Sequence, residues 1–318
     1  MKKIPENPKI AIAGSVNSSK AILEKLIEHK MNVVLVLGLS PNVSHNVSGY
    51  QDLKPIASSS NLGFKYFEKI NDDLIAQELK AHEVDLFFVV GLSQIVRKKV
   101  LKAPKSACIG YHPTLLPKGR GRAAVAWIVL GKVDPAVTFF EIDEGMDSGN
   151  ILFQQPFKLP ESPYAEDVIN ALIIEIYKAM DSFLPKLKKG IIEANEQKES
   201  EATYLGVRRP LDGLIDWQDK AANIFRLIRA VSHPLPGAFT LIKITKIIIW
   251  KARIADELPM VGVPGRILRV YKDKFYVQTG DVPLEIQEYE SQKPFKPKVG
   301  MKLGVNILQL LNQVYSNE

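Results

Sequence analysis

From Lys9 to Tyr111 the chain alternates short, continuously apolar runs with stretches whose apolar residues recur every three or four positions. The short runs are Lys9–Ala13, Asn32–Leu37, Phe64–Phe67, Asp85–Val90 and Ser106–Tyr111, each of strand length. Between them, Lys20–His29 carries Ile22, Leu23, Leu26 and Ile27 on one helical face, with Ser18 or Ser19 placed to cap it. Leu53–Ser58, Asp72–Leu79 and Gln94–Leu101 complete the helical set. Strands apolar on both faces need cover on both faces. Helix connections between them supply it, so the order predicts a mostly parallel sheet with helices on both sides. Ligands of such sheets sit beyond the carboxyl ends of the strands.

The pattern then changes. A loop rich in Pro, Gly and Arg spans Pro113–Arg122, and a helix is expected over Ala123–Leu130. Strands over Val137–Glu141 and Ile151–Phe157 flank the loop Ile142–Asn150, and Ala165–Leu187 reads as one long helix. Ala194–Ala202 is polar and suits a surface connection, so domains are expected at 1–200 and 201–318. The second opens with a helix over Lys220–Val231. Short strands follow at Ala238–Ile242, Ile247–Ala252, Gly265–Val270, Lys274–Gln278 and Leu284–Tyr289, a pattern of small barrels or sandwiches.

Several classes of function are excluded on composition. The single cysteine, Cys108, rules out an internal disulfide or a cysteine-rich metal cluster, and the histidines show no ligand spacing, so no metal is expected. Apolar residues make up 46% of the chain, enough for a real core. The apolar run Ile10–Ala13 behind the charged N-terminus is too short for a signal core or membrane span, so a soluble cytoplasmic protein is expected. A net charge of +7 suits an anionic ligand without demanding one.

The segment from Gly110 to Asp147 concentrates chemistry. His112 falls just past the expected strand end, where a parallel sheet presents its ligand, and imidazole can move protons near neutral pH. Asp147, on a glycine-flanked loop, could orient it. The pair suits acyl transfer to an amine, in which the amine sheds a proton and a tetrahedral oxyanion needs a donor. The same residues could equally be a locally satisfied histidine and a turn-capping aspartate. Gly14-Ser15, after the first strand, could approach a phosphate through backbone N–H groups, although no full glycine fingerprint follows.

His112-Pro-Thr-Leu-Leu-Pro117, Arg120-Gly-Arg-Ala123 and Asp143-Glu-Gly-Met-Asp-Ser-Gly149, in that order, resemble the signature of the N10-formyltetrahydrofolate-dependent formyltransferases. That family includes methionyl-tRNA formyltransferase and enzymes that formylate nucleotide-linked amino sugars. The likeness continues through Ala202-Thr203-Tyr204, Asp212–Trp217 and Pro234–Ala238. It implies a Rossmann-like first domain, an OB-like barrel as the second, and N10-formyltetrahydrofolate as co-substrate.

By the same resemblance, His112 and Asp147 are catalytic. The pterin would lie between the loop carrying Val90, Gly91, Leu92 and Ile95 and the loop of Ile142, Asp143, Glu144 and Gly145. The family's third catalytic residue, an Asn two before the His, is Gly110 here. Ser93 or Gln94 could stand in as donor, protonated His112 or a backbone N–H could suffice, or the chain could bind ligands with little catalysis. Arg120 and Arg122 suit an anionic part of the substrate, or else a salt bridge fixing their own loop. The region 40–50, where the tRNA enzymes carry a basic insertion, holds no Lys or Arg. A nucleotide-linked amino sugar is therefore the expected acceptor, with tRNA the alternative and a homodimer compatible with the family.

Overall fold

The computed structural model describes residues 2–304, so Met1 and the last stretch of the expected second domain, 305–318, lie outside the described residues. By its internal contacts the chain divides into one unit of residues 1–160 and 167–207 and another of 161–166 and 208–318.

The first unit is built on a seven-stranded sheet. Its strands in chain order are β1 (Ile10–Gly14), β2 (Val33–Leu39), β3 (Phe64–Phe67), β4 (Leu86–Val90), β5 (Ala107–Thr114), β6 (Pro135–Glu141) and β7 (Ile151–Pro156). The spatial order is β3-β2-β1-β4-β5-β6-β7. The first five are parallel; β6 then pairs antiparallel with β5, and β7 antiparallel with β6. Helices α1 (Asn17–Glu28), α2 (Lys54–Ser59), α3 (Asp73–Ala81), α4 (Lys98–Leu101), α5 (Ala124–Val129) and α6 (Ala165–Lys188) connect or follow the strands.

Period-two alternation along the strands divides the side chains between two cores. Ile10, Ile12, Val36, Phe88 and Val90 join α1 and α6 on one face through residues such as Ile22, Leu26 and Phe183. Ala11, Ala13, Leu35, Leu37, Phe87 and Val89 join α3 on the other through Ile75 and Leu79. Phe139 of β6 stacks on Phe183 of α6 with centroids 5.3 Å apart. Fully burying each such side chain is worth roughly 1.5–3 kcal/mol.

Two differences in extent bear on the cavity. The helix expected over Gln94–Leu101 begins only at Lys98. Gln94 is drawn off the helical path, since its side chain accepts from Ile70 N and donates to Glu68 O, while Arg97 N donates to Asn71 Oδ1. The strand expected to end at Tyr111 runs on to Thr114, because β6 supplies ladder partners through Thr114↔Pro135. His112 thus lies within β5, not past it. Its strand has parallel partners on β4 only as far as Gly110, which pairs with Val89. At Gly91, with φ +61°, the chain turns away from β4. The edge of β5 left bare by that turn is where the sheet opens.

The second unit carries α7 (Ala221–Val231) and β8 (Ala238–Ile242), β9 (Thr245–Ile254), β10 (Ile267–Tyr271), β11 (Lys274–Val277) and β12 (Leu284–Ser291). They form one antiparallel sheet in the order β8-β9-β12-β11-β10. The segment 300–304 bonds to both edges: Leu303 N donates to Gly265 O beside β10, and Gly304 N to Leu241 O of β8. That bridging gives the sheet its barrel-like closure.

Candidate active site

At the bare edge of β5 lies a cavity of about 980 Å³, within the range of small-molecule sites. One wall is the 91–97 loop after β4, with Gly91, Leu92, Ser93 and Ile95. The other is the 142–147 loop after β6, with Ile142, Asp143, Glu144 and Gly145; Gly110 and His112 also line the cavity. Lys98, which follows the first wall as the start of α4, and Glu144 of the second stand 3.5 Å apart.

His112 is buried, with both ring nitrogens accounted for. Nε2 lies 2.7 Å from Gly119 O. A carbonyl only accepts, so Nε2 carries a proton and donates it there. The nitrogen left to exchange a proton is Nδ1, and it faces Asp147 Oδ2 at 3.6 Å. That gap is longer than a hydrogen bond but closes with a small side-chain movement. Asp147 has φ +50°, an uncommon conformation for a non-glycine residue, and its Oδ2 also accepts from Gly121 N at 2.8 Å. A second carboxylate of that loop, Asp143, accepts from Gly145 N and from the Ser148 hydroxyl, and so shapes the turn that delivers Asp147.

Gly110 is packed over. A Cβ placed there would meet the Phe140 ring at 2.7 Å and Ile142 Cγ1 at 3.0 Å. The volume that a side chain at 110 would need is filled from β6, whose Phe140 is the ladder partner of Gly110.

Other expected site residues stand elsewhere. Val90 turns its side chain into the α1–α6 core, and only its neighbours reach the cavity. Gln94 lines the cavity, but both ends of its amide are committed to backbone, so it is not a spare donor. Ser93 is exposed on the same wall. Arg120 is only 1% exposed and does not line the cavity. Its Nη1 donates to Glu199 Oε2 and Tyr204 Oη, and its Nε to Gln197 Oε1. Burial disfavours its charge, yet the Glu199 and Tyr204 contacts outweigh that and raise its pKa. Of the two arginines, Arg122 is the exposed one on the cavity wall. The turn at Gly14-Ser15 is closed to a phosphate, because Ser15 N donates to Ser19 Oγ and Gly14 packs against Ser19.

The residues 8–178 match the family model for formyl transferases, and 209–302 match the model for the formyl transferase C-terminal domain. The chain belongs to the formyl transferase family. A methionyl-tRNA formyltransferase of Agathobacter rectalis is 29% identical over 287 residues, covering 89% of this chain and 92% of that protein. Another, from Thermodesulfovibrio yellowstonii, is 32% identical over 236 residues, covering 74% and 75%. The crystal structure of an N-formyltransferase from Helicobacter canadensis, described as a complex with folinic acid and dTDP-3-aminofucose, has a TM-score of 0.64 at 20% identity. The match covers 90% of this chain and 99% of that one; at that identity the likeness bears on fold alone.

Four residues that shape this formyltransferase's cavity and its His112–Asp147 pair carry little mark in the sequence. Gly119 and Gly121 act through backbone groups, which leave no mark on side-chain chemistry. Phe140 reads in the sequence as strand core. Met146, 52% exposed, lines the cavity as Ile95 does at 78%. Its position inside the Asp143–Gly149 motif was the one signal available.

Proposed function

We propose that this formyltransferase moves the formyl group of N10-formyltetrahydrofolate to the primary amine of a nucleotide-linked amino sugar. The observation that carries the reading is the pairing of His112 Nδ1 with Asp147 on a cavity whose walls are the 91–97 and 142–147 loops. Leu92, Ile95, Ile142 and Met146 suit the flat apolar part of a folate, and backbone groups of the same loops suit its polar edge.

In the reaction, the acceptor nitrogen bonds to the formyl carbon and the carbonyl oxygen takes the negative charge. The C–N10 bond then breaks, and the proton lost by the acceptor ends on N10. His112 with Asp147 takes and returns that proton, and protonated His112 also offsets the oxyanion charge that an Asn at 110 would have met. Arg122, exposed on the wall, suits an anionic group of the acceptor.

The acceptor reading rests on the 40–50 loop. It has no Lys or Arg and folds onto its own domain, with Val43, Val47 and Tyr50 against the α3-side core and Tyr50 Oη donating to Leu39 O. A polyanionic stem would find no charge there. The competing acceptor, methionyl-tRNA, is supported by the activity named for the sequence relatives.

The deciding assay follows conversion of N10-formyltetrahydrofolate to tetrahydrofolate with a dTDP-linked 3-amino sugar in one arm and charged initiator tRNA in the other. Turnover confined to the sugar arm is expected. Formylation of tRNA with a steep salt dependence would overturn the acceptor, and tight folinic acid binding with no turnover in either arm would favour a ligand-binding homologue.

A further inference from the structure

Both contacts of His112 trace back to one short segment, 197–205, that lies outside the cavity. Gly119, whose carbonyl holds Nε2, is itself held there: its N–H donates to Thr203 Oγ1 at 2.8 Å. Arg120 N donates to Thr203 O, and residues 120–121 pair in parallel with 204–205. Asp147, which faces Nδ1, is held by Gln197. The Gln197 amide donates from Nε2 to Asp147 O at 2.8 Å and to Gly149 O at 2.7 Å. Its Oε1 accepts from Arg120 Nε at 3.1 Å. Gln197 is buried, so an unmet amide there would be costly, and both its Nε2 hydrogens and its Oε1 are engaged.

We propose that Gln197 is a positioning residue of the His112–Asp147 pair. It grips the carbonyl of the left-handed Asp147 and that of Gly149, two residues on, and locks them to the Arg120 strand, whose neighbours Gly119 and Gly121 contact the imidazole and the Asp147 carboxylate. The left-handed conformation of Asp147 is the reason an external grip is needed. That backbone is costly for a non-glycine residue and persists only when surroundings over-determine it. Two charge-free bonds to carbonyls, oriented by a buried arginine, supply that constraint. Arg120, with Glu199 and Tyr204 behind it, fixes which way the Gln197 amide points, since only Oε1 can accept from Nε. The buried arginine thus serves the site from behind instead of meeting a ligand.

The functional part of this inference rests on the formyltransferase reading; the structural part does not. The test uses the full chain with Gln197→Met, which keeps the shape and removes the bonds, and Arg120→Lys, which keeps the charge and removes the Nε donor. Amide exchange at Gly121, whose N–H rests on Asp147 Oδ2, should speed up at least tenfold in Gln197→Met, with Ile109 and Val89 of the sheet unchanged. In the formyl-transfer assay kcat should fall at least tenfold while folinic acid affinity stays within twofold; Arg120→Lys should show the same pattern more weakly. Unaltered Gly121 exchange, or acceleration of every amide together, would overturn the proposal. Should His112→Ala keep full turnover, the formyltransferase reading fails, while the exchange result still decides whether Gln197 holds Asp147.

Discussion

His112 is oriented by what its two nitrogens can accept or donate. With Nε2 committed to Gly119 O, the proposed mechanism gives proton exchange to Nδ1, beside Asp147. Replacing His112 by Ala should lower kcat by roughly 10²–10⁴, the usual worth of a positioned acid–base group, with folinic acid binding retained. Activity near that of the unmodified chain would remove imidazole from the mechanism. Gly110 makes a separate prediction. A Cβ there would meet Phe140 at 2.7 Å, so Gly110→Ala should destabilise the fold by about 1–3 kcal/mol through overpacking. Combined with Phe140→Leu, the loss should be smaller than the sum of the two single changes, a coupling that denaturation of the four chains measures directly.

At the scale of elements, the site exists because two neighbouring strands end differently. β4 stops at Val90 and turns at Gly91, while β5 continues to Thr114 on the support of β6. The turn depends on glycine: φ is +61°, and an added Cβ would lie 2.2 Å from Val16 Cγ2. Gly91→Ala should therefore cost about 1–3 kcal/mol or more and weaken folinic acid binding, because the wall it starts would shift. Calorimetry of the variant at a temperature where it remains folded checks this, and unchanged affinity would show that the wall is not tied to the turn. The helix expected from Gln94 begins later for a related reason. Side-chain bonds to Glu68, Ile70 and Asn71 hold the loop extended against the neighbouring connection, and residues 24 to 26 positions away in the chain are invisible to helical periodicity.

For the molecule as a whole, acid stability should be set in part by the C-terminal sheet. Glu285 of β12 is buried and meets Arg253, Gln287, Tyr276 and Lys274. Burial pushes its carboxyl up, and those four partners more than reverse it, holding it down at about 2 against an ordinary 4.5. The unfolded chain therefore takes up this proton before the folded one does. The stabilisation is complete above pH 4.5 and is lost as pH falls toward 2, amounting to about 3 kcal/mol. Amide exchange across β9 and β12 between pH 5 and 2.5 should show this loss in the unmodified chain and a flatter profile in Glu285→Gln. Equal profiles would mean the carboxylate has no such role. Among the described residues, no helix is long and apolar enough to cross a membrane.

The sequence by itself determined the element order, the division of each strand between two cores and the neighbourhood of His112 and Asp147. These are carried by periodicity and by motifs of consecutive residues, where local stereochemistry acts. The partners of Arg120 were not legible, because Gln197, Glu199 and Tyr204 follow it by 77 to 84 positions and a buried guanidinium looks the same in sequence as an exposed one. Nor was the packing of Phe140 over Gly110, which the β5–β6 register creates, or the side-chain ties that commit Gln94 to backbone. Tertiary structure decided these, since burial and hydrogen-bond pairing depend on which distant segments share a volume, and folding alone settles that.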